Sequence, residues 1–305
     1  MRMHASLAVV LAFAAATAHG QPTGEPTFEL TLVTLAGERE VVGTLPDTVF
    51  APRVSPDGTR IAFENVDFSE GVSSVTIATL EDLDDRYDLP RFDGSMNWAP
   101  SWSPDGERIL FIASGPDGDK IWWQRADGSG GAEHLLDARS AESWANDGAE
   151  LTYLTLAETP GGRDYGIAML DIATRETRTL VDQQGSSEHS SNVSADGRFI
   201  AYASNESGRY EVFVEPLPQT GARVQVTTEG GGHPLWSRDG RTIYFDRQGR
   251  ILRIGFDPSA SRAAGAAEAL PIEGFVQGEY RRQFELMPDG QRFLMLFPLK
   301  GARAP

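Results

Sequence analysis

Apolar and polar residues alternate along most of the chain in short runs that are separated by turn residues. The stretch SWSPDGERILF (101–111) is typical: a bulky apolar residue leads into Ser-Pro-Asp-Gly, and apolar residues then follow at alternating positions. A period of two indicates half-buried β-strands, and Pro-Asp-Gly favours a tight turn. The stretch therefore predicts a β-hairpin.

The hairpin pattern recurs six times. The aspartates of the six turns are Asp57, Asp105, Asp147, Asp196, Asp239 and Asp289, and they are spaced 42 to 50 residues apart. Behind each of the first five hairpins lies a third strand, such as KIWWQRA (120–126), and most of these have a weaker fourth, such as AEHLLD (132–137). Four short strands in a repeat of this length are typical of a β-propeller blade.

The two ends of the chain complement each other. The sixth repeat stops after its second strand, whereas TFELTLVTLAG (27–37) and EREVVGTL (38–45) resemble a third and a fourth strand that lack a first and second. Joining them covers the sheet edges that an open array would expose. We therefore predict an all-β fold, a six-bladed β-propeller over residues 27–305, whose last blade combines two N-terminal with two C-terminal strands.

The first twenty residues predict export. Arg2 precedes an apolar run over residues 5–16, and small residues follow near positions 18 and 20. This is the pattern of a secretory signal peptide, and the run is shorter than the roughly 20 residues that span a bilayer. We predict a signal peptide at 1–20, a short segment at 21–26, and a periplasmic or secreted protein with no membrane insertion after cleavage.

Charge and cysteine content exclude several functions. With 44 acidic against 27 basic residues the formal charge is -17, which argues against nucleic acid or anionic lipid as a partner. The chain has no cysteine, which excludes disulfides, thiolate metal sites and a cysteine nucleophile.

The stretches PSWSPDGERILF (100–111), PLWSRDGRTIYF (234–245) and RVSPDGTRIAF (53–63) resemble the TolB-like propeller repeat, also called the PD40 or WD40-like repeat. The resemblance covers nearly all of the chain after the signal peptide, and it implies a propeller fold and a bacterial source. The same repeats occur in TolB, in prolyl-oligopeptidase-like enzymes and in propellers appended to bacterial kinases, so the resemblance implies no single function.

Two features of those relatives are missing here. Only a few residues separate the predicted cleavage site from the first strand, where TolB has an α/β domain, so we expect no direct role in the Tol-Pal system. The chain also contains no G-x-S-x-G elbow, which a prolyl-oligopeptidase-like hydrolase needs.

The six turn aspartates are predicted to be structural. They occupy equivalent turns one blade apart, so they cannot converge on one substrate, and an aspartate in such a turn hydrogen-bonds its own backbone. The tryptophans that recur in register are predicted to pack between neighbouring blades; they are Trp102, Trp144 and Trp236.

The positions where the repeats differ are the candidate binding residues. Residues six and seven before each aspartate are expected in the loop that enters the innermost strand, at one mouth of the central channel, and residues four before it are expected to face inward. The predicted site comprises Trp98, His189, His233, Arg282, Arg53 and Glu285. Such a polar ring suits a small polar ligand or ordered water equally well.

His189 and His233 come from adjacent blades and are the only candidates for a metal or for catalysis, with Glu188, Glu142 or Glu285 as further ligands. Two histidines are too few for a metal site, so we expect no metal, no cofactor and no catalytic residue. The acidic run EDLDDRYD (81–88) lacks the order of a calcium loop and is expected to be a solvated loop.

These observations favour an exported, monomeric, non-catalytic propeller scaffold that binds a protein or peptide partner of unknown identity at the bacterial cell envelope. The alternative is a secreted propeller enzyme, a lyase or hydrolase that acts on a sugar or small ester at the His189 and His233 mouth.

Overall fold

The computed structural model describes residues 26–46, 48–67, 69–92, 95–159, 162–278 and 281–299. These residues form β-strands and a single 3-10 turn, Asn146–Gly148. The predicted signal peptide lies outside the described residues. Within the described part of the chain, no helix is long and apolar enough to cross a membrane.

Three antiparallel sheets of four strands follow one another in chain order. The first comprises β11 (Ser140–Ala145), β12 (Glu150–Thr159), β13 (Gly162–Asp171) and β14 (Thr177–Val181). The second comprises β15 (Glu188–Val193), β16 (Phe199–Ser204), β17 (Glu211–Pro216) and β18 (Val224–Gln225). The third comprises β19 (Gly232–Trp236), β20 (Thr242–Arg247), β21 (Arg250–Asp257) and β22 (Arg262–Glu273).

A larger sheet of eight strands consists of two such four-stranded units. One unit is β3 (Val49–Val54), β4 (Arg60–Asp67), β5 (Val72–Thr79) and β6 (Arg86–Asp88). The other is β7 (Met96–Trp102), β8 (Arg108–Gly115), β9 (Gly118–Arg125) and β10 (Glu133–Leu136). A single parallel bridge, between Ser73 and Met96, joins them.

The remaining sheet combines the two ends of the chain. Its strands are β1 (Pro26–Thr34), β2 (Arg39–Pro46), β23 (Phe284–Leu286) and β24 (Arg292–Pro298), in the order β2-β1-β24-β23. The β1 and β24 strands are antiparallel and pair without interruption from Phe28 opposite Pro298 to Thr34 opposite Arg292. The N-terminal strands therefore lie where the sixth repeat lacks its own third and fourth strands.

Burial differs between the inner and outer strands of each unit. The second strands contain the longest buried runs, as in β16, where all six residues are buried, and β24, where five of seven are. The fourth strands are largely exposed, as in β6 and β22. A strand that is covered on both faces needs apolar residues at consecutive positions, which explains runs such as RFLMLFP in β24.

The hydrophobic core consists of clusters that lie between consecutive units. In one cluster, Phe199 and Val212 pack with Trp236 and Phe245 of the following sheet. In another, Leu30 and Leu296 of the terminal sheet pack with residues of β3 and β4. Among the described residues, each of the six clusters joins two neighbouring units in this way. Face-to-face packing of twisted sheets accounts for most of the buried apolar surface.

The repeated turns have one hydrogen-bond pattern. In five of them the aspartate Oδ1 accepts the backbone N–H two residues later; these aspartates are Asp57, Asp105, Asp196, Asp239 and Asp289. The glycine that follows each one has a positive φ, for example 71° at Gly106, where a side chain would be strained. Asp147 differs, because it lies in the 3-10 turn with a φ of 52°.

The sequence suggested that the acidic run at 81–88 is a loop, and this is only partly correct. Its last three residues form β6, which pairs with β5, and the side-chain hydroxyl of Thr76 donates a hydrogen bond to Asp88. All three β6 residues are exposed, so the strand carries no apolar alternation by which it could be recognised.

Candidate functional site

The first strand of every unit contributes to one central cavity of about 990 Å³. The six inward-facing residues predicted from the repeat all line it; they are Arg53, Ser101, Ser143, Asn192, Leu235 and Glu285. Because each lies four residues before its turn aspartate, the same local geometry points all six side chains to the same side. Five of the six are polar or charged, so this ring of side chains is mostly polar.

The first strands are irregular near the cavity mouth. Strands β3, β7, β11, β15 and β19 each contain a register shift at this level. Four residues at the shifts have φ between 48° and 57°; they are Ala51, Ala99, Ser190 and His233. Non-glycine residues seldom adopt such angles, and bulges with this strain are frequent near binding sites. The mouth residues of these five strands thus lie on bulged strands and not in the entering loops that the sequence had suggested, whereas Arg282 lies in the segment before β23, as expected.

A bulge leaves backbone N–H groups without a partner in the sheet, and side chains of the preceding unit accept them. The Oε1 atom of Gln283 accepts from the Ala51 N–H at 2.9 Å. Glu142 accepts from the Ser190 and Ser191 N–H groups at 2.6 and 2.7 Å, one with each carboxylate oxygen. Burial raises the pKa of Glu142, although these hydrogen bonds oppose the shift. Side chains from neighbouring units therefore hold the strained mouth in place.

One side of the mouth is a cluster of three arginines and two glutamates, Arg53, Arg281, Arg282, Glu64 and Glu285, which we call the arginine wall. Glu285 Oε2 lies 2.7 Å from Arg282 Nη2 and 3.5 Å from Arg53 Nε, and Arg53 also donates to the Arg282 carbonyl at 3.0 Å. Arg281 pairs with the fully buried Glu64. The wall joins residues of β3, β4 and β23 with the segment before β23.

Like charges lie close together in the arginine wall. Burial and the neighbouring guanidiniums of Arg282 and Arg281 together lower the pKa of Arg53 to about 9, against the opposing effect of Glu285. Burial also raises the pKa of Glu64, against the opposing effect of Arg281. Arg53 is still charged at pH 7, because a pKa of about 9 is well above neutrality.

An aromatic platform lies beside the arginine wall. The guanidinium of Arg281 is 4.5 Å from the centroid of the Trp98 ring, and that of Arg139 is 5.9 Å from it. The Trp98 indole donates to Ser114 Oγ at 2.7 Å, and Ser114 donates to Asp119 at 2.5 Å. Asp119 also binds Arg139 at 2.7 Å. This chain of contacts fixes the orientation of the ring at the mouth.

The opposite side of the mouth, which we call the histidine wall, comprises Glu142, His189, Ser190, Ser191 and His233. His189 Nδ1 lies 2.8 Å from Ser190 Oγ, and the His189 and His233 ring centroids are 6.0 Å apart. Both histidines are 4% exposed. His189 lines the cavity, whereas His233 lies behind the lining.

Most polar groups of the histidine wall have a hydrogen-bond partner, although the Nε2 atom of His233 is buried without one among the described residues. His233 Nδ1 lies 3.1 Å from Asp246 Oδ1. Burial, with a smaller effect of the nearby His233, lowers the pKa of His189 to about 3, so this imidazole is neutral at pH 7. Within the part of the chain that the structure describes, no three His, Asp or Glu residues are grouped so that they could hold a metal ion.

The six predicted site residues fall into two groups. Arg53, Arg282 and Glu285 are in direct contact, and Trp98 joins them through Arg281. His189 and His233 lie together in the histidine wall.

Sequence reasoning missed Arg281 and Glu64, although a signal for Glu64 exists. Glu64 lies seven residues after its turn aspartate, where four of the other five repeats have an apolar residue. The exception is Asp246, which binds His233. An acidic residue at this position of the second strand therefore indicates each wall: Glu64 the arginine wall, and Asp246 the histidine wall.

No family model matches the chain. Among solved structures it is similar to a TolB candidate from Agrobacterium tumefaciens, at 18% identity and a TM-score of 0.71, over 90% of this chain and 99% of that one. It is also similar to TolB from Acinetobacter baumannii, at 20% identity and a TM-score of 0.57, over 87% of this chain and 70% of that one. An oligogalacturonate lyase in complex with manganese matches at 13% identity and a TM-score of 0.52, over 91% and 98%. These similarities show the fold: an all-β protein like the TolB-type β-propellers.

Proposed function

We propose that this chain is a non-catalytic β-propeller scaffold that binds a segment of a protein or peptide partner in the mouth of its central cavity. The observation that carries the proposal is the cavity itself, which is about 990 Å³ in volume and receives side chains from the first strand of every unit. Its lining combines an aromatic platform, charged groups and hydroxyls, the mixture typical of binding sites on rigid scaffolds.

The scaffold is proposed to have six blades in a closed ring. The strand order β2-β1-β24-β23 supports closure by the two ends of the chain, and the division of the eight-stranded sheet into two four-stranded units supports the number six. The hydrophobic clusters add support, because each joins two consecutive units, including the terminal sheet and the unit that follows it. A closed ring keeps the mouth rigid.

Binding is favoured over catalysis by the state of the candidate groups. With a pKa of about 3, His189 is a weak base. Both carboxylate oxygens of Glu142 already accept backbone N–H groups, which supports a structural role for this side chain. The side chains at the mouth are therefore suited to contact a ligand without transforming it.

The proposed location is the periplasm or the exterior of a bacterial cell, with the protein monomeric. The signal-peptide pattern of residues 1–20 supports export, and the absence of cysteine suits a chain that passes through compartments of different redox state.

A selection from a random peptide library on the purified protein tests the proposal. We expect enrichment of peptides that bind wild type but not Gly115→Trp. Gly115 lines the cavity, and a Cβ there meets no atom within 4 Å, so the indole can occupy the mouth without disturbing the fold.

The matched control is Gly131→Trp, because Gly131 also has open space and lies outside the cavity lining. Peptides should bind this variant as they bind wild type. Enrichment that both tryptophan variants abolish, or neither does, would place binding elsewhere and would refute the proposal, as would the absence of any enriched peptide.

A second candidate is a lyase or hydrolase on a sugar or small ester. It is favoured by the contacts of His189 with Ser190 and of His233 with Asp246, which resemble the pairing of a base with an orienting group. If the protein turns over oligogalacturonate or a nitrophenyl ester and His189→Ala loses this activity, the enzyme would be favoured over the non-catalytic scaffold.

A further inference from the structure

The arginine wall contains more cations than carboxylates. Arg53 and Arg282 share Glu285, and Arg281 pairs with Glu64, so three guanidiniums face two acidic groups. Glu142 lies across the cavity, where Arg282 acts on its charge, but among the described residues no ion pair joins the two, and its oxygens accept the N–H groups of Ser190 and Ser191. The wall therefore has a positive excess that faces the cavity.

This excess is unusual for the chain that carries it. The protein has 27 basic and 44 acidic residues, and yet Arg53, Arg281 and Arg282 are close together with side chains that are 13 to 23% exposed. Guanidiniums that are partly withdrawn from water repel one another more strongly than on the surface. Burial and the neighbouring cations lower the pKa of Arg53, which reflects the same cost. An anion in the cavity would remove it.

The platform beside the wall favours a ligand with a planar charged group. The Trp98 ring is held by Ser114 and has the guanidiniums of Arg281 and Arg139 near it. Guanidinium groups bind carboxylates in a planar, two-pronged arrangement. Trp98 is largely buried, and its ring helps to orient the Arg281 guanidinium that lines the cavity.

We propose that the arginine wall is a carboxylate-binding site and that the peptide segment taken up by the mouth is acidic. This inference rests on the proposed function, since it names the chemistry of the segment that the mouth binds. An acidic segment is repelled by the overall charge of -17 and is attracted only at the mouth. The wall would thereby select the correct docking position.

Titration calorimetry with a blocked hexaglutamate peptide tests the site on the full-length mature protein. Hexaglutamate should bind wild type, and hexaglutamine of the same length should not. Arg53→Gln and Arg282→Gln should each weaken hexaglutamate binding by about tenfold or more, because each removes a charge-assisted contact to a carboxylate. Circular dichroism establishes that each variant is folded.

The matched control is Arg253→Gln, since Arg253 is an exposed arginine that pairs with Glu268 at 2.8 Å, away from the cavity. Its hexaglutamate affinity should equal that of wild type. If neither wall variant folds, Gly115→Trp against Gly131→Trp gives the same test without changing an arginine. Hexalysine should bind the acidic surface weakly and equally in all variants.

Hexaglutamate that fails to bind wild type, or that binds Arg53→Gln and Arg253→Gln equally, would overturn the inference. Inorganic phosphate that competes fully with hexaglutamate at equal concentration would also overturn it, because the site would then be a general anion site. If the library selection yields neutral or basic peptides that need the mouth, only this inference falls. If the library selection yields no peptide while hexaglutamate still binds, the carboxylate-binding site is supported and the proposed function as a peptide-binding scaffold is refuted.

Discussion

Both walls of the mouth contain glutamates and basic side chains, but the hydrogen-bond partners of these groups differ. In the histidine wall, Glu142 accepts two backbone N–H groups and His233 contacts Asp246, so its polar groups stabilise one another. In the arginine wall, Arg53 and Arg282 share one carboxylate, that of Glu285. In the first wall the carboxylate accepts backbone N–H groups, whereas in the second three guanidiniums share two carboxylates.

The difference follows from where each wall lies in the chain. The histidine wall is built from β11, β15 and β19, which are first strands of units that follow one another along the chain, and Glu142 of β11 caps the bulge of β15. The arginine wall lies where β3 meets β23, and it brings Arg281 together with Glu64, 217 residues away along the sequence. The excess of guanidiniums over carboxylates therefore occurs where segments that are far apart in the sequence meet.

Removal of residues 27–45 should have the largest effect, because it takes away β1 and most of β2 beside the arginine wall. Leu30, Val33 and Leu45 are fully buried there, and each contributes about 1.5 to 3 kcal/mol by burial alone. Together with the unpaired edge of β24, this loss is comparable to the whole stability of a domain. We expect no cooperative urea transition, monitored by circular dichroism.

The control for that deletion is Val41→Ser. Val41 lies in β2 and is 54% exposed, so this variant should keep the transition of wild type. A deleted protein that unfolds cooperatively would show that the arginine wall does not depend on the N-terminal strands.

Glu142→Ala should have the next largest effect, since it removes the carboxylate that caps the bulge of β15. The Ser190 and Ser191 N–H groups lose their acceptor, and unfilled buried donors cost about 2 to 4 kcal/mol in the free energy of unfolding. Glu142→Gln keeps one acceptor oxygen and should lose about half as much. Urea denaturation measures both.

The matched control is Glu268→Ala, which removes an exposed carboxylate on β22 and should change the free energy of unfolding by less than about 0.5 kcal/mol. Equal changes in the free energy of unfolding for Glu142→Ala and Glu268→Ala would mean that the hydrogen bonds of Glu142 stabilise the fold no more than an exposed carboxylate does.

The smallest effect concerns pH. The pKa of His189 is about 3 in the folded protein and about 6.5 when unfolded, so between these values only the unfolded chain holds the proton. Stability from this group is therefore complete above pH 6.5 and falls on acidification, by about 2 kcal/mol between pH 6.5 and 5.

His189→Gln should flatten the pH dependence of the free energy of unfolding by that amount. Glu64, Glu142 and Glu188 have raised pKa values, which act in the opposite direction, but they are present in both proteins and cancel in the difference. Parallel curves for wild type and the variant would show that His189 accepts a proton in the folded state.

Part of the site was predictable from the repeat. Arg53 and Glu285 reach the cavity because they lie at the same distance from a turn in strands of the same alternation, and that distance can be counted in the sequence. The bulge at Ala51 and His233 was not predictable, because non-glycine residues in a left-handed conformation leave no pattern of alternation. The mouth residues were accordingly expected in loops.

The sequence by itself determined most of the strands, the repeated turns and the side of each first strand that faces inward, because these follow from spacing within a few residues. Tertiary structure alone decided which charges meet: that Arg281 pairs with Glu64, that Arg53 and Arg282 share Glu285, and that Glu142 caps a neighbouring strand. Local periodicity constrains one unit at a time, whereas the balance of charge at the mouth depends on how separate units are packed against one another.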